Sequence, residues 1–269
     1  MKAKRNWRII YQSLAIILIT YALIVGMSVG IPDKPLWGQT GRNVFYHVPM
    51  WFAMLVLMFM SVYYSIRLLR ELDPDRERTG DPIRLDIQAK EAARVGILFN
   101  ILGLITGILW SRVTWNAATI SGWSFGSWWN WDPIQVSALI SLLIYLAYFL
   151  LRSSFAEPEQ RARVAAVYNV FAAATLIPLF FIVPRMLEGL HPTSSDSDNV
   201  GGNFIGTLDS TGRMVFYPAI LGFIFLGIWL FSQRNRIEQL RWQLDNLLAD
   251  KEYGQRDEQD SPPLSQTTN

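Results

Sequence analysis

The sequence predicts an all-α, polytopic membrane protein with six transmembrane helices, and three observations support this class. Of its 269 residues, 51% are hydrophobic and 17% are charged, whereas a soluble domain carries about a quarter charged residues. The hydrophobic residues gather in runs long enough to cross a bilayer core about 30 Å thick. These runs are continuous rather than alternating, which favours helices over the strands of a membrane barrel. The predicted spans are 9–29, 48–66, 92–110, 134–151, 164–183 and 214–231.

The first span follows a basic N-terminal segment and resembles a signal peptide at first sight. It is too long for the apolar region of such a peptide, and no clear cleavage site follows it. We therefore interpret it as a retained helix. The six predicted cores contain almost no ionisable residue at mid-depth, which argues against an ion-coupled transporter or a proton pump.

The distribution of Lys and Arg predicts the orientation of these helices. If the N-terminus is cytoplasmic, 19 of the 24 basic residues lie on the cytoplasmic side and five lie outside. Cytoplasmic loops of membrane proteins carry the excess of basic residues. We therefore expect both termini to be cytoplasmic, with three external loops.

The pattern after the sixth span divides the chain at about residue 235. Residues 1–235 form the predicted six-helix membrane domain, and 236–269 form a cytoplasmic tail. The tail begins with Ile237, Leu240, Leu244 and Leu247, whose spacing predicts a short amphipathic helix on the membrane surface or against a partner. From about residue 254 the tail is polar and is expected to be disordered.

Several chemistries are excluded by composition. The chain has no cysteine, so it has no disulfide, no thiolate metal site and no haem attached to its own Cys-x-x-Cys-His motif. Its net charge of +2 is too small to indicate binding of nucleic acid. A phosphate-binding loop of the Gly-x-x-x-x-Gly-Lys type is also absent.

Tryptophan is concentrated in the second external loop. Six of the 11 tryptophans fall between Trp110 and Trp131, most densely in the segment 122–133. Membrane interfaces favour tryptophan in any case. A dense cluster beside glycines also suits a ligand platform, because indoles offer flat apolar faces and N–H donors to a large planar ligand. The candidate residues are Trp123, Trp128, Trp129, Trp131 and Asp132, and Asp132 is alternatively the N-cap of the fourth helix.

The two histidines of the chain are both predicted at the external face. His47 precedes the second span and His191 follows the fifth. A lone histidine in a loop is often a solvated or capping residue, but two neutral imidazoles can bind one haem iron axially. Haem propionates need cationic or N–H partners, and Arg42 lies five residues before His47. The external arginines, each alternatively an interfacial anchor, are Arg42, Arg112, Arg185 and Arg213.

The run Phe125-Gly-Ser-Trp-Trp-Asn-Trp-Asp132 resembles the tryptophan-rich WWD signature of haem-handling membrane proteins. One histidine before the second helix and one after the fifth, with the pattern Arg42-x-x-x-x-His47-Val-Pro49, resemble the CcmC branch of that superfamily. The likeness covers roughly residues 7–235. The chain departs from the family pattern at Phe125, where tryptophan is usual. Its Asp132-Pro133-Ile-Gln135 looks more like the cytochrome c synthase branch, CcsA.

The resemblance implies a membrane protein of the bacterial cytoplasmic membrane that binds haem b noncovalently at its outer face. By position, His47 and His191 are then the axial ligands of the haem iron, and the WWD segment cradles the macrocycle. The implied partners are the membrane-anchored haem chaperone CcmE, the ABC-type complex of CcmA and CcmB, and the small membrane peptide CcmD.

The expected function is to bind haem and deliver it to a haem chaperone for cytochrome c maturation. We therefore expect a binding and delivery protein rather than a typical enzyme. Two alternatives remain open. One is a component of a cytochrome c synthase, which attaches haem to apocytochrome. The other is the permease subunit of an ABC transporter that does not handle haem.

Overall fold

Long helices make up most of the protein. The structure, a computed structural model, describes residues 2–30, 38–77, 79–115, 119–120, 123–124, 127–191 and 208–260. A 3₁₀ turn at Gly38–Asn43 leads into the second helix, and a π-helical turn at Pro178–Ile182 joins the fifth helix to the sixth. The two short strands β1 (Thr119–Ile120) and β2 (Trp123–Ser124) pair antiparallel. The helices are α1 (Lys2–Ser28), α2 (Val44–Glu71), α3 (Pro82–Thr114), α4 (Pro133–Ser153), α5 (Pro158–Ile177), α6 (Val183–Met186) and α7 (Ser210–Asp260).

Among the described residues, six helical segments are long and apolar enough to cross a membrane, which confirms the predicted fold class. They correspond to α1, α2 with its preceding turn, α3, α4, the combined α5 and α6, and α7. The first segment ends at Ser28, one residue before the end of its predicted span, and each of the other five contains its predicted span and extends beyond it. The orientation derived from Lys and Arg stays a prediction.

Three of the helices begin at the same kind of signal, an acidic residue followed by proline. The side chains of Asp81, Asp132 and Glu157 accept hydrogen bonds from backbone N–H groups in the first turns of α3, α4 and α5. Proline tolerates the first helical position because its missing N–H would have no partner there. The sequence therefore sets these three helix starts locally.

Glycines on α3 allow α2 to approach closely. A Cβ atom at Gly103 would lie 2.7 Å from the Trp51 ring, and one at Gly107 would lie 2.9 Å from Cε1 of His47. The two glycines are four residues apart and so lie on one face of the helix. Small residues at this spacing let membrane helices pack closely. The side chains of Trp51 and His47 on α2 therefore pack directly against the Gly103–Gly107 face of α3.

Polar side chains inside the bundle bind one another. Asn100 donates from Nδ2 to Oγ of Ser141 at 2.7 Å. Asn169 donates to Ser61 at 2.7 Å and to Ser65 at 2.8 Å. These two asparagines are the main polar residues of the predicted spans, and both tie helices together.

The end of the bundle that carries the α2–α3 loop is held by buried ion pairs. Arg152 forms a bidentate pair with Asp86, at 2.7 and 2.6 Å. Glu91 is fully buried and binds Arg94 at 2.5 Å and Arg234 at 3.0 Å. Charges buried in this way need such partners. We call the other end, which carries the tryptophan-rich segment, the tryptophan end.

Helix α7 continues without interruption through the expected domain boundary at residue 235. The apolar side chains of the predicted amphipathic segment lie on this continuation. Leu240, Leu244 and Leu247 are all exposed. The segment is therefore an extension of the last spanning helix, and residues 261–269 lie outside the described residues.

Candidate functional site

A cavity at the tryptophan end brings His47 and His191 together. The two residues are far apart in the chain, yet both line one cavity of about 180 Å³. His47 lies in the first turn of α2, and His191 follows α6 by five residues. Most of the remaining lining is apolar and aromatic, and it includes Trp51, Trp110 and Phe180.

The ring of His47 is bound at both nitrogens, and its partners fix the tautomer. Nδ1 lies 2.8 Å from Oγ1 of Thr106. The single hydroxyl proton of Thr106 points to the backbone carbonyls of Leu102 and Gly103, at 2.9 and 3.1 Å. The Thr106 oxygen can then only accept from His47, so Nδ1 carries the proton and Nε2 keeps its lone pair.

The second partner of His47 agrees with this tautomer. Nε1 of Trp51, one helical turn further along α2, donates to Nε2 of His47 at 3.2 Å. An indole nitrogen is only a donor, so Nε2 is the acceptor. The rings of His47 and Trp51 meet edge-on, with their centroids 6.0 Å apart. Trp51 also packs against Phe180, with ring centroids 5.3 Å apart.

His191 is positioned through its backbone by Asp132. One carboxylate oxygen of Asp132 accepts from the backbone N–H of Ile134 at 3.0 Å, which caps α4. The other accepts from the backbone N–H of Leu190 at 3.1 Å and of His191 at 3.4 Å. The capping interpretation of Asp132 is thus confirmed. The carboxylate also links the last residue of the WWD signature to the segment that carries the second histidine.

Burial shifts the pKa of both groups in this link. It raises the pKa of Asp132 to about 6, and the backbone N–H donors around the carboxylate oppose that rise. Burial lowers the pKa of His191 to about 3, with a further contribution from the nearby His47. The His191 imidazole is therefore neutral at physiological pH, as a metal ligand has to be.

A second polar cluster anchors the tryptophan-rich segment to α3 and α4. Gln135 donates to Oγ of Ser111 at 2.8 Å, and Nδ2 of Asn130 donates to the same oxygen at 3.2 Å. The backbone N–H of Asn130 donates to Gln135 at 3.2 Å. All three side chains are buried. Asn130 and Asp132 thus attach the tryptophan-rich segment to the rest of the bundle.

Trp128 and Trp131, which lie close to these two residues in the chain, point outward. Trp128 and Trp131 are 66% and 65% exposed, and Trp129 packs edge-on against Trp131 at 6.2 Å. Trp128, Trp129 and Trp131 do not line the cavity that holds the two histidines, within the part of the chain described. The backbone of Trp123 belongs to β2, and its side chain lies outside the described residues. Trp110 belongs to α3, so the loop is shorter than the sequence indicated.

The candidate arginines are engaged outside the cavity. Arg42 donates to the carbonyl of Val29 at 2.8 Å and to Gln39. Arg112 lies over the ring of Trp128, 5.9 Å from its centroid. Arg185 and Arg213 bind backbone carbonyls near their own helices. The structure therefore places Arg112, rather than Arg42, against the tryptophan-rich segment.

Sequence reasoning missed the residues that orient His47. Thr106 and Trp51 act on His47, and neither belongs to a recognisable site motif. The Gly-x-x-x-Gly spacing of 103 and 107 was a usable signal, since it marks a close helix contact. The signal for Trp51 was its position four residues after His47 on one helix face.

Comparisons with known proteins agree with this architecture. The family model described as CcmC, heme exporter protein C, matches residues 1–248. The chain is 29% identical to "Heme exporter protein C" of Paracoccus denitrificans, over 81% of each chain. It is 30% identical to the protein of the same name from Bradyrhizobium diazoefficiens, over 82% of this chain and 78% of the relative. A shorter likeness, 35% identity over 109 residues, relates it to the "Cytochrome c biogenesis protein CcsA" of Synechococcus sp., covering 40% of this chain and 30% of that one. The family match spans nearly the whole chain, and the chain therefore belongs to the CcmC family.

Proposed function

We propose that this protein binds haem b noncovalently in the cavity between His47 and His191 and delivers it for cytochrome c maturation. The observation that carries the proposal is the meeting of two imidazoles in one apolar cavity at the tryptophan end. Membership of a family named for heme export supports the same ligand. From the Lys and Arg distribution, we place this end at the outer face of the bacterial cytoplasmic membrane.

The donor set fits a porphyrin better than a bare metal ion. Within the described residues, no three His, Cys, Asp or Glu side chains gather in a metal-binding group. A porphyrin would supply nitrogen ligands of its own, so the imidazoles of His47 and His191 would be enough to hold its iron. The apolar lining suits the faces of the macrocycle, and the neutral imidazole of His191 is of the kind that binds haem iron.

The chain's own residues divide the work of binding. Thr106 keeps the His47 proton on Nδ1 and so leaves Nε2 for the iron. Asp132 fixes the segment that carries His191. Nε1 of Trp110 is buried at the cavity and has no hydrogen-bond partner among the described residues. It is therefore available to donate to a polar edge of the ligand. We assign Trp128, Trp129 and Trp131, with Trp123, to the approach of the macrocycle from outside.

Delivery requires an acceptor, and the family resemblance suggests which one. We propose the membrane-anchored chaperone CcmE as the acceptor, with CcmA, CcmB and CcmD assisting release. The exposed indoles of Trp128 and Trp131 give the acceptor a surface to contact. We assign Arg42 to holding the segment after α1 rather than to binding a propionate, because its guanidinium donates to the carbonyl of Val29.

One specific observation favours a second candidate, a component of a cytochrome c synthase. The likeness to CcsA proteins covers 109 residues, and Asp132-Pro133-Ile-Gln135 resembles that branch. A synthase would act on an apocytochrome with a Cys-x-x-Cys-His motif, whereas a delivery protein would pass haem to the chaperone. Mixing the haem-loaded protein with each acceptor and following the haem separates the two functions.

An absorption spectrum of the purified protein, oxidised and reduced, with a pyridine haemochrome assay, tests the proposal. We expect a Soret band with a b-type signal that weakens in His47→Gly and in His191→Gly and is partly restored by added imidazole. A protein that binds no added haem would contradict the proposal and favour the permease alternative. An unchanged haem content in the double variant would contradict the ligand assignment alone.

A further inference from the structure

The nitrogen of His47 that would bind iron is already occupied by a hydrogen bond. Nε2 accepts from Nε1 of Trp51 at 3.2 Å. Neutral imidazole has one lone pair on its unprotonated nitrogen, and that pair serves one partner at a time. An indole N–H and an iron ion therefore compete for the same atom.

We propose that Trp51 is a positioning residue whose indole N–H holds the iron-binding lone pair of His47 in the haem-free protein and withdraws when haem binds. This inference rests on the proposed function and adds to it a ligand exchange at His47. In the exchange, the hydrogen bond from Trp51 to Nε2 breaks and a bond from Nε2 to iron forms. No electron is transferred, and the proton on Nδ1 stays in place.

The packing indicates which of the two rings moves. His47 is 8% exposed, is bound to Thr106 through Nδ1 and lies against Gly107 of α3, where even a Cβ atom would clash. Trp51 also packs against α3, at Gly103, but it is only partly buried, and the hydrogen bond to His47 is the one that its side chain makes among the described residues. A second hydrogen bond thus holds the imidazole in place, whereas the indole has none. The cavity of about 180 Å³ is smaller than the roughly 300–1,000 Å³ typical of ligand pockets, so some lining side chains have to move when a porphyrin enters.

The exchange suits a protein that has to release its ligand. On release of haem, Trp51 returns to Nε2, and the regained hydrogen bond offsets part of the lost iron–nitrogen bond. A single neutral hydrogen bond changes an equilibrium constant by about two- to tenfold. We therefore expect Trp51 to weaken haem binding by that factor and to lower the barrier to transfer.

The experiment compares Trp51→Phe with a matched control in full-length, detergent-purified protein. Phenylalanine keeps an aromatic ring at position 51 but has no N–H donor. Trp110→Phe is the control, because Trp110 lines the same cavity, loses the same atoms and has no hydrogen-bond partner for its indole nitrogen among the described residues. Titration with haem should show about two- to tenfold tighter binding in Trp51→Phe, whereas Trp110→Phe, which removes an indole N–H that we assign to the ligand, should bind haem more weakly.

A measurement without haem tests the hydrogen bond itself. The chain contains two histidines, so labelling with ¹⁵N-histidine gives few ring signals. The Nε2 signal of His47, assigned by its loss in His47→Gly, should move toward the position of a free imidazole nitrogen in Trp51→Phe and stay unchanged in Trp110→Phe. An unmoved signal, or equal haem affinity in Trp51→Phe and the wild type, would overturn the inference while leaving the proposed function intact. A wild-type protein that binds no haem would remove the proposed function and the inference together.

Discussion

Asp132 provides the sharpest test of how the WWD signature acts, because one carboxylate has two separable roles. One oxygen caps α4 through Ile134, and the other binds the backbone of Leu190 and His191. Serine is a good N-cap residue, but its side chain is too short to reach both partners. Asp132→Ser therefore keeps the cap and removes the contact to the His191 segment, whereas Asp132→Ala removes both.

The expected effect of Asp132→Ser on stability is small. A hydrogen bond to a charged group contributes about 1.5–3 kcal/mol, and the longer bond to His191, at 3.4 Å, contributes less than the one to Leu190. Burial raises the pKa of Asp132 to about 6 even though the backbone N–H donors oppose the rise, so replacing the carboxylate also removes an unfavourable burial of charge. This gain offsets the lost hydrogen bonds, and we expect a change of about 1 kcal/mol or less. Asp132→Ala should lose about 1 kcal/mol more, for the cap.

Haem binding should respond much more strongly than stability. Residues that orient a metal ligand typically change metal affinity by about 10- to 100-fold, and we expect Asp132→Ser to weaken haem binding within that range. The assay is haem titration beside thermal unfolding of the same preparations, with Glu157→Ser, at the cap of α5, as the control. Haem affinity within twofold of the wild type in Asp132→Ser would refute the positioning role.

Three further predictions concern the same bundle. Trp128→Ala should reduce haem content but change the free energy of unfolding by less than about 0.5 kcal/mol, because the side chain is exposed. Trp115 is fully buried, so Trp115→Ala should cost about 3–5 kcal/mol in thermal unfolding. Similar losses of stability in the two variants would contradict this. Gly107→Ala places a Cβ atom 2.9 Å from His47. We expect this overpacking to lower the free energy of unfolding by about 1–3 kcal/mol and to reduce the haem content. A haem content equal to that of the wild type would show that the imidazole adjusts. Backbone N–H groups hold the pKa of Glu157 below its usual value. The stability that Glu157 contributes is therefore present above its unfolded pKa and is lost as the pH falls through its folded pKa. Glu157→Gln should flatten the fall of the unfolding temperature below about pH 5, and an unchanged fall of the unfolding temperature at acid pH would argue against this cap.

The sequence predicted much of this architecture because the signals are local. Continuous apolar runs predict spanning helices, since backbone groups in lipid have to be satisfied within the segment. Acidic residues before proline predict helix starts, and Asp132 and Pro133 conform to this rule. The two histidines were singled out because neutral imidazole is a common haem ligand and the chain offers two. None of these inferences needs knowledge of which helices touch.

The role of the tryptophans was harder to predict. The density of the segment suggested a single platform, but the structure turns Trp128 and Trp131 outward and uses Asn130 and Asp132 for attachment. The aromatic lining near the histidines comes partly from Trp51, which lies in a different helix. Composition reports how many indoles a segment has, but it does not report their direction.

The sequence by itself determined the class of the protein, the number of spanning helices, the start of α4 and the two candidate histidines, because each follows from hydropathy, capping or side-chain chemistry within a short stretch. Only the tertiary structure decided that His47 and His191 share a cavity, that Thr106 selects the tautomer of His47 and that Asp132 binds the His191 segment. These contacts join residues about 60 to 140 positions apart, and they depend on which faces of α2, α3 and α4 meet. Helix packing sets those faces through the shape of the whole interface, and a local pattern such as the spacing of Gly103 and Gly107 marks a close contact without naming its partner.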